Sequence, residues 1–197
     1  DPANLDPRPD MVVVGNAISR GNEELEAVLE QRMRYTSAAR TVREELLEGR
    51  HVVAVAGTHG KTTTTSLVAW LLESAGMDPS FLVGGVAENF GTSFRLARGE
   101  HFVIEGDEYD TAYFDKGPKF LHYRPEAVIL TSLEFDHADI FRDLDHYRAA
   151  FAGLMALVPP TGVVAAWAGD EALIDLALQA PGRVATYAAR EGGDARG

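Results

Sequence analysis

The stretch Ala56-Gly57-Thr58-His59-Gly60-Lys61-Thr62-Thr63 limits what this chain can fold into more than any other. It follows a β-branched apolar run, residues 51–56, and precedes a helical pattern over residues 61–75, which Gly76 closes in the position glycine favours after a helix. A strand, a glycine turn and a helix opening on Lys-Thr form the setting in which backbone amides hold phosphate. Gly57 and Gly60 let the backbone turn tightly and aim N–H groups at phosphate oxygens. The helix start adds the positive end of its dipole. Lys61 supplies a mobile cation for β- and γ-phosphates, and the Thr62 hydroxyl suits Mg2+. Gly57, Thr58, His59, Gly60, Lys61, Thr62 and Thr63 are therefore the expected ATP contacts. The spacing departs from the general G-x-x-x-x-G-K-[ST] pattern, because position 55 is Val55 and the first glycine stands three before Gly60. His59 reads as a polar loop residue rather than a proton carrier.

A phosphate-binding turn needs a sheet to carry it, and the chain supplies one. Apolar runs at residues 11–14, 51–56, 81–83, 101–105, 127–131, 163–167 and 184–187 alternate with helical patterns at 23–34, 37–47, 61–75, 145–158 and 171–178. The alternation predicts an α/β fold, a mostly parallel sheet flanked by helices. Gly84-Gly85 reads as a loop after the third run, and Ser37 as a helix N-cap. Residues 1–49 hold one strand and two helical patterns, too little for a domain, so they are expected to be the end of a preceding domain. Residues 50–190 are then a nucleotide-binding domain and 191–197 a tail. The chain starts Asp1-Pro2-Ala3-Asn4, without an initiator Met or a basic, apolar leader. That start suits a piece of a longer protein and predicts no signal peptide. Hydrophobic residues make up 46% of the chain, enough for a core, and no apolar run reaches bilayer length. No membrane association and a cytoplasmic location are expected. The lack of cysteine excludes disulfides, thiolate metal ligands and cysteine nucleophiles. The net charge of −12 argues against a nucleic-acid binder. It does not argue against a nucleotide, which a few local donors can hold. Most of the excess acid is read as solvated surface.

Two acidic constellations follow. The run Phe102-Val103-Ile104-Glu105-Gly106-Asp107-Glu108-Tyr109-Asp110 is an apolar strand that ends in four carboxylates. Crowded carboxylates repel unless a cation sits among them, and Mg2+ takes such oxygens together with water and phosphate. Glu134-Phe135-Asp136-His137-Ala138-Asp139 follows the run at 127–131 and so falls at the same carboxyl edge of the sheet, where open α/β sheets bind ligands. A neutral imidazole there can ligate a metal. Lys116, Lys119, His122, Tyr123 and Arg124 either face an anionic substrate or pack the segment that carries them.

The compact loop G-T-H-G-K-T-T, the acidic strand end and the D-H-x-D loop resemble the Mur ligase family over nearly the whole chain, less so after about Pro160. The resemblance implies Mg2+ ligation at Glu105 and His137 beside Thr62, with Lys61 in the catalytic position. It implies an ATP-dependent amide-bond ligase working through an acyl phosphate, in which a first domain binds the UDP-sugar, a middle domain binds ATP and a last domain brings the amino substrate. This chain would be the middle domain, lacking most of the first and all of the last. Thr131-Ser132 stand shortly before the D-H-x-D loop, where relatives often carry Asn. No lysine follows Lys119, which excludes the carbamoylated lysine of some branches and points to the muramate-acting branch. Gly15-Asn16-Ala17-Ile18-Ser19-Arg20-Gly21-Asn22 and the long link from Phe114-Asp115-Lys116 to Tyr123-Arg124-Pro125 resemble the branch that joins L-Ala-γ-D-Glu-meso-diaminopimelate to UDP-N-acetylmuramate. The branch that adds L-alanine, and a non-catalytic nucleotide-binding module, stay open as alternatives.

Overall fold

The computed structural model describes residues 1–134 and 143–188. A short 3-10 turn leads to β1 (Val12–Val14), α1 (Glu23–Glu30), β2 (Tyr35–Ser37) and α2 (Ala38–Val42), which widens into a π-type turn over Arg43–Leu47. There follow β3 (His51–Ala56), α3 (Lys61–Ser74), β4 (Ser80–Ala87), β5 (Thr92–Arg95) and β6 (His101–Gly106). Then come β7 (Asp110–Ala112), β8 (Asp115–Pro118), a 3-10 turn and β9 (Ala127–Leu130). The last elements are α4 (Leu144–Leu157), β10 (Val163–Trp167), α5 (Glu171–Ala177) and β11 (Arg183–Tyr187).

Seven strands form the main sheet in the order β11-β10-β9-β3-β6-β4-β5. All neighbours run parallel except β5, which returns antiparallel to β4 at one edge. The expected α/β fold is what forms. Its cause is visible in β3, where Val52, Ala54 and Ala56 face one side and Val55 the other, all buried. A strand apolar on both faces needs a cover on each. Under α3, Val55, Phe81, Val83 and Val103 pack with Ala69. On the opposite face, Ala54, Ile104, Val128 and Leu130 pack with Tyr147, Phe151 and Leu154 of α4 and with Leu173 of α5. Ala39 and Leu47 join this larger core.

Several expectations change in detail. The helical pattern at 23–34 ends at Glu30, because residues 35–37 pair with β1 as a separate two-stranded parallel sheet. Ser37 does cap the next helix, accepting from the Arg40 N–H at 3.2 Å. Gly84-Gly85 is not a loop. Both residues lie inside β4, which runs on to Ala87. The acidic strand end leads into a β7–β8 hairpin, which the sequence pattern did not predict.

The topology places the cradle. β3 feeds α3, the chain crosses to β4 on one side, and β9, β10 and β11 build outward in turn on the other. The carboxyl ends of β9, β3 and β6 thus meet where the direction of winding reverses, the crevice in which such sheets bind ligands.

Candidate functional site

The turn between β3 and α3 can only be made with glycine where glycine stands. Gly57 has φ +139° and Gly60 φ +78°. A Cβ on Gly57 would lie 2.8 Å from both the backbone N and O of Ser132 and would collide with the Thr131 hydroxyl. That closeness has a use, since the end of β9 holds the turn in shape. The Thr58 N–H donates to Ser132 O (3.1 Å), the His59 N–H to Ser132 Oγ (2.9 Å) and the Thr131 hydroxyl to His59 O (2.6 Å). The buried Thr58 hydroxyl donates to Glu134 O and accepts from Glu134 N–H, both at 2.8 Å. Its one hydrogen is then spent, which leaves the Tyr147 hydroxyl, 2.9 Å away, to donate to it. Gly60 caps α3 without a side-chain hydrogen bond. The amides of the first turn have no partners within a helix, so they face the cradle as an anion site.

Thr62 and Glu105 come together at this edge. The Thr62 hydroxyl donates to Glu105 Oε1 at 3.1 Å, and Glu105 Oε2 accepts from the Gly84 N–H at 2.8 Å. A Cβ on Gly84 would sit 3.0–3.2 Å from the Glu105 carboxyl group. A Cβ on Gly85 would sit 3.2 Å from the Thr62 methyl. The glycine pair in β4 therefore makes room for the Glu105 carboxyl group and the Thr62 side chain. A hydroxyl and one carboxylate beside a phosphate cradle suit Mg2+, which keeps several waters and takes substrate oxygens. Among the described residues no three His, Cys, Asp or Glu side chains group closely enough to hold a metal by themselves. His137, with Asp136 and Asp139, lies outside the described residues.

The crowding of carboxylates after β6 resolves differently from the expectation. Only Glu105 turns to Thr62. Asp107 binds Lys119 at 2.6 Å, Glu108 binds Lys61 at 2.9 Å and Asp110 binds Lys116 at 2.9 Å. Each has its own ammonium partner, so the run does not need a shared metal. Lys116, Lys119 and His122 are thereby accounted for as fasteners of the hairpin, with His122 Nε2 2.9 Å from Asp115 Oδ2. Tyr123 is buried beneath them, and burial pushes its hydroxyl well above the usual tyrosine range, with the Asp107 and Glu105 charges adding to the shift. Arg124 remains exposed, in a left-handed conformation at φ +47°. His59 is also exposed, its ring 3.6 Å from Glu134.

Thr131, Ser132, Tyr147, Gly84 and Glu108 escape a reading by motif. Thr131-Ser132 and Gly84-Gly85 were visible as residues, but no spacing says which backbone they would approach. Tyr147 carries the signal only of a helix position, and its polar tip is used 89 residues away. No helix among the described residues is long and apolar enough to cross a membrane.

The family model of the Mur ligase middle domain matches residues 55–196. Over 171 residues the chain is 49% identical to the UDP-N-acetylmuramate–L-alanyl-gamma-D-glutamyl-meso-2,6-diaminoheptandioate ligase of Haemophilus influenzae, covering 87% of this chain and 38% of that protein. It is 41% identical over 197 residues to the UDP-N-acetylmuramate–L-alanine ligase of Salinispora arenicola, covering 98% of this chain and 37% of that one. Among solved structures, the UDP-N-acetylmuramate:L-alanyl-gamma-D-glutamyl-meso-diaminopimelate ligase from Neisseria meningitides superposes with a TM-score of 0.89 at 44% identity, covering 94% of this chain and 61% of that chain. The chain thus spans well under half the length of these curated relatives.

Proposed function

The chain belongs to the Mur ligase family, matched through its middle domain, and on that premise we propose that it is the ATP-binding core of a ligase that joins the tripeptide L-Ala-γ-D-Glu-meso-diaminopimelate to UDP-N-acetylmuramate. One observation carries the nucleotide reading. A glycine cradle at a helix N-terminus brings Lys61 and the Thr62–Glu105 pair to one edge of the sheet. The identity of 49% to a tripeptide ligase, against 41% to an L-alanine ligase, supports the choice of acceptor.

In the proposed reaction the muramate carboxylate attacks the γ-phosphorus of ATP, the bond to the β–γ bridging oxygen breaks, and ADP leaves with an acyl phosphate formed. The peptide amine then attacks the acyl carbon, expels inorganic phosphate and loses a proton to give the amide. Such transfer asks for positioning and charge neutralisation rather than a protein nucleophile. Gly57, Thr58, His59, Gly60, Lys61, Thr62 and Thr63 would hold the phosphates, and Lys61 would meet the charge that develops on them. Thr62, Glu105 and His137 would hold Mg2+, which when bound neutralises phosphate oxygens. Residues 1–49 would close a preceding UDP-sugar domain, 50–190 form the middle domain and 191–197 lead toward a third. A nucleotide-consuming reaction on UDP-linked substrates fits the cytoplasm.

Calorimetric titration tests the core of this reading. The chain is expected to bind Mg·ATP, and Lys61→Ala to lose that binding; unchanged affinity in the variant would overturn the cradle. The chain alone is expected to form no amide, since it spans 38% of its tripeptide-ligase relative. In the full-length ligase, phosphate release in the presence of UDP-N-acetylmuramate is expected to be faster with the tripeptide than with L-alanine. The reverse order would move the chain to the L-alanine branch.

A further inference from the structure

Lys61 is fully engaged by acceptors of the protein itself. An ammonium has three N–H donors. Three acceptors surround this one: Gly57 O at 2.7 Å, Thr58 O at 3.2 Å and Glu108 Oε1 at 2.9 Å. The two carbonyls belong to the cradle itself. The third acceptor is an anion from another strand end, and its side chain is 0% exposed while that of Lys61 is 14% exposed. The neighbours of Glu108 cannot serve in its place, because Asp107 and Asp110 face Lys119 and Lys116. Glu105 cannot either, because it faces Thr62 and Gly84.

A charge pair in this position is not a surface ion pair. Solvent and salt screen it little, and separating its members costs far more than opening an exposed bridge. Any nucleotide whose β- and γ-phosphates draw on Lys61 must take the ammonium from Glu108 or share it, with a fixed negative charge close behind it. Both effects oppose binding of the polyanion. A nucleotide with only an α-phosphate makes no such demand.

We propose that Glu108 sets the affinity of the cradle for its nucleotide, by holding the Lys61 ammonium when the site is empty and competing with the terminal phosphates for it when the site fills. Glu108 is thus a positioning residue that acts through Lys61. Its return to Lys61 also favours departure of the diphosphate product. The inference rests on the nucleotide reading above.

The test compares Mg·ATP, Mg·ADP and AMP on the chain and on Glu108→Gln, which keeps the shape and a hydrogen-bond acceptor but removes the charge. The variant is expected to bind ATP and ADP about tenfold more tightly, with AMP unchanged. A merely structural glutamate would lower the melting temperature and weaken all three. Unchanged or weaker ATP binding, or an equal gain for AMP, overturns the inference. If Glu108→Gln does not fold, Glu108→Asp decides, because it withdraws the carboxylate from Lys61 by one methylene. A gain of about threefold for ATP but not AMP supports the competition, and no gain overturns it. Failure of the unsubstituted chain to bind ATP brings down the nucleotide reading and this inference with it. Normal binding by that chain with an unaltered Glu108→Gln overturns this inference alone.

Discussion

Among the residues of the cradle, the positions with no functional group of their own carry the sharpest consequences. Gly84 is a case. Its N–H donates to Glu105 Oε2 at 2.8 Å, and a Cβ in its place would press on the same carboxyl group at 3.0 Å. Glu105 would have to turn, and turning breaks its contact with Thr62. Gly84→Ala should therefore weaken ATP binding about tenfold when Mg2+ is present and little when it is chelated. Calorimetry with and without chelator checks this, and an equal loss in both conditions would separate Gly84 from the metal. The acidic strand end was legible in the sequence, and the resemblance to the Mur ligase family singled out Glu105 within it; the structure sets that carboxylate beside the Thr62 hydroxyl. The division of labour among Glu105, Asp107, Glu108 and Asp110 was not legible. It depends on which way each side chain leaves the β6–β7 turn and which lysine it meets, and local spacing does not encode that.

Elements divide along the same line between local and distant causes. Long apolar runs fed by helices were read correctly. β3, β6, β9 and β10 announce themselves through residues that are apolar on both faces. β2, β5, β7 and β8 did not, since each has three or four residues and exists through the strand it pairs with. α4 shows how a well-predicted helix can do unpredicted work. Its Tyr147 packs in the core while its hydroxyl meets Thr58 at 2.9 Å, tying the helix to the cradle and to the backbone of Glu134. Tyr147→Phe keeps the ring and its packing against Phe151, whose centroid is 4.9 Å away. It should cost about 1 kcal/mol in urea unfolding. It should also loosen ATP by a few-fold, because Thr58 loses one of the bonds that fix the turn. A variant as stable and as tight as the parent would place the cradle's rigidity elsewhere, in the Thr131 and Ser132 bonds.

For the molecule as a whole, the proposed nucleotide site and the fold are linked through the sheet. The cradle rests on β3 at the middle of the seven strands, braced by residues following β9 and faced by Glu105 from β6. Three adjacent strands must be in register for the site to exist, so an unfolded chain cannot offer it. A ligand that binds only the folded state stabilises it by mass action, about 2.7 kcal/mol at a hundred times its dissociation constant. For a chain of this size that corresponds to a rise of roughly 5–10 °C in melting temperature. Saturating Mg·ATP should produce that rise, and AMP, which reaches neither Lys61 nor the Mg2+ position with terminal phosphates, should produce much less. Lys61→Ala should remove most of the ATP shift and should also lower the melting point of the chain without nucleotide, because it leaves the buried Glu108 carboxylate without its ammonium. Glu108→Gln should enlarge the shift instead. Opposite signs from two substitutions on one ion pair cannot arise from a general loss of stability, since that would lower both curves. Equal shifts for ATP in all three proteins would mean that the nucleotide binds away from Lys61, and the cradle would then be a feature of the fold without a ligand of its own.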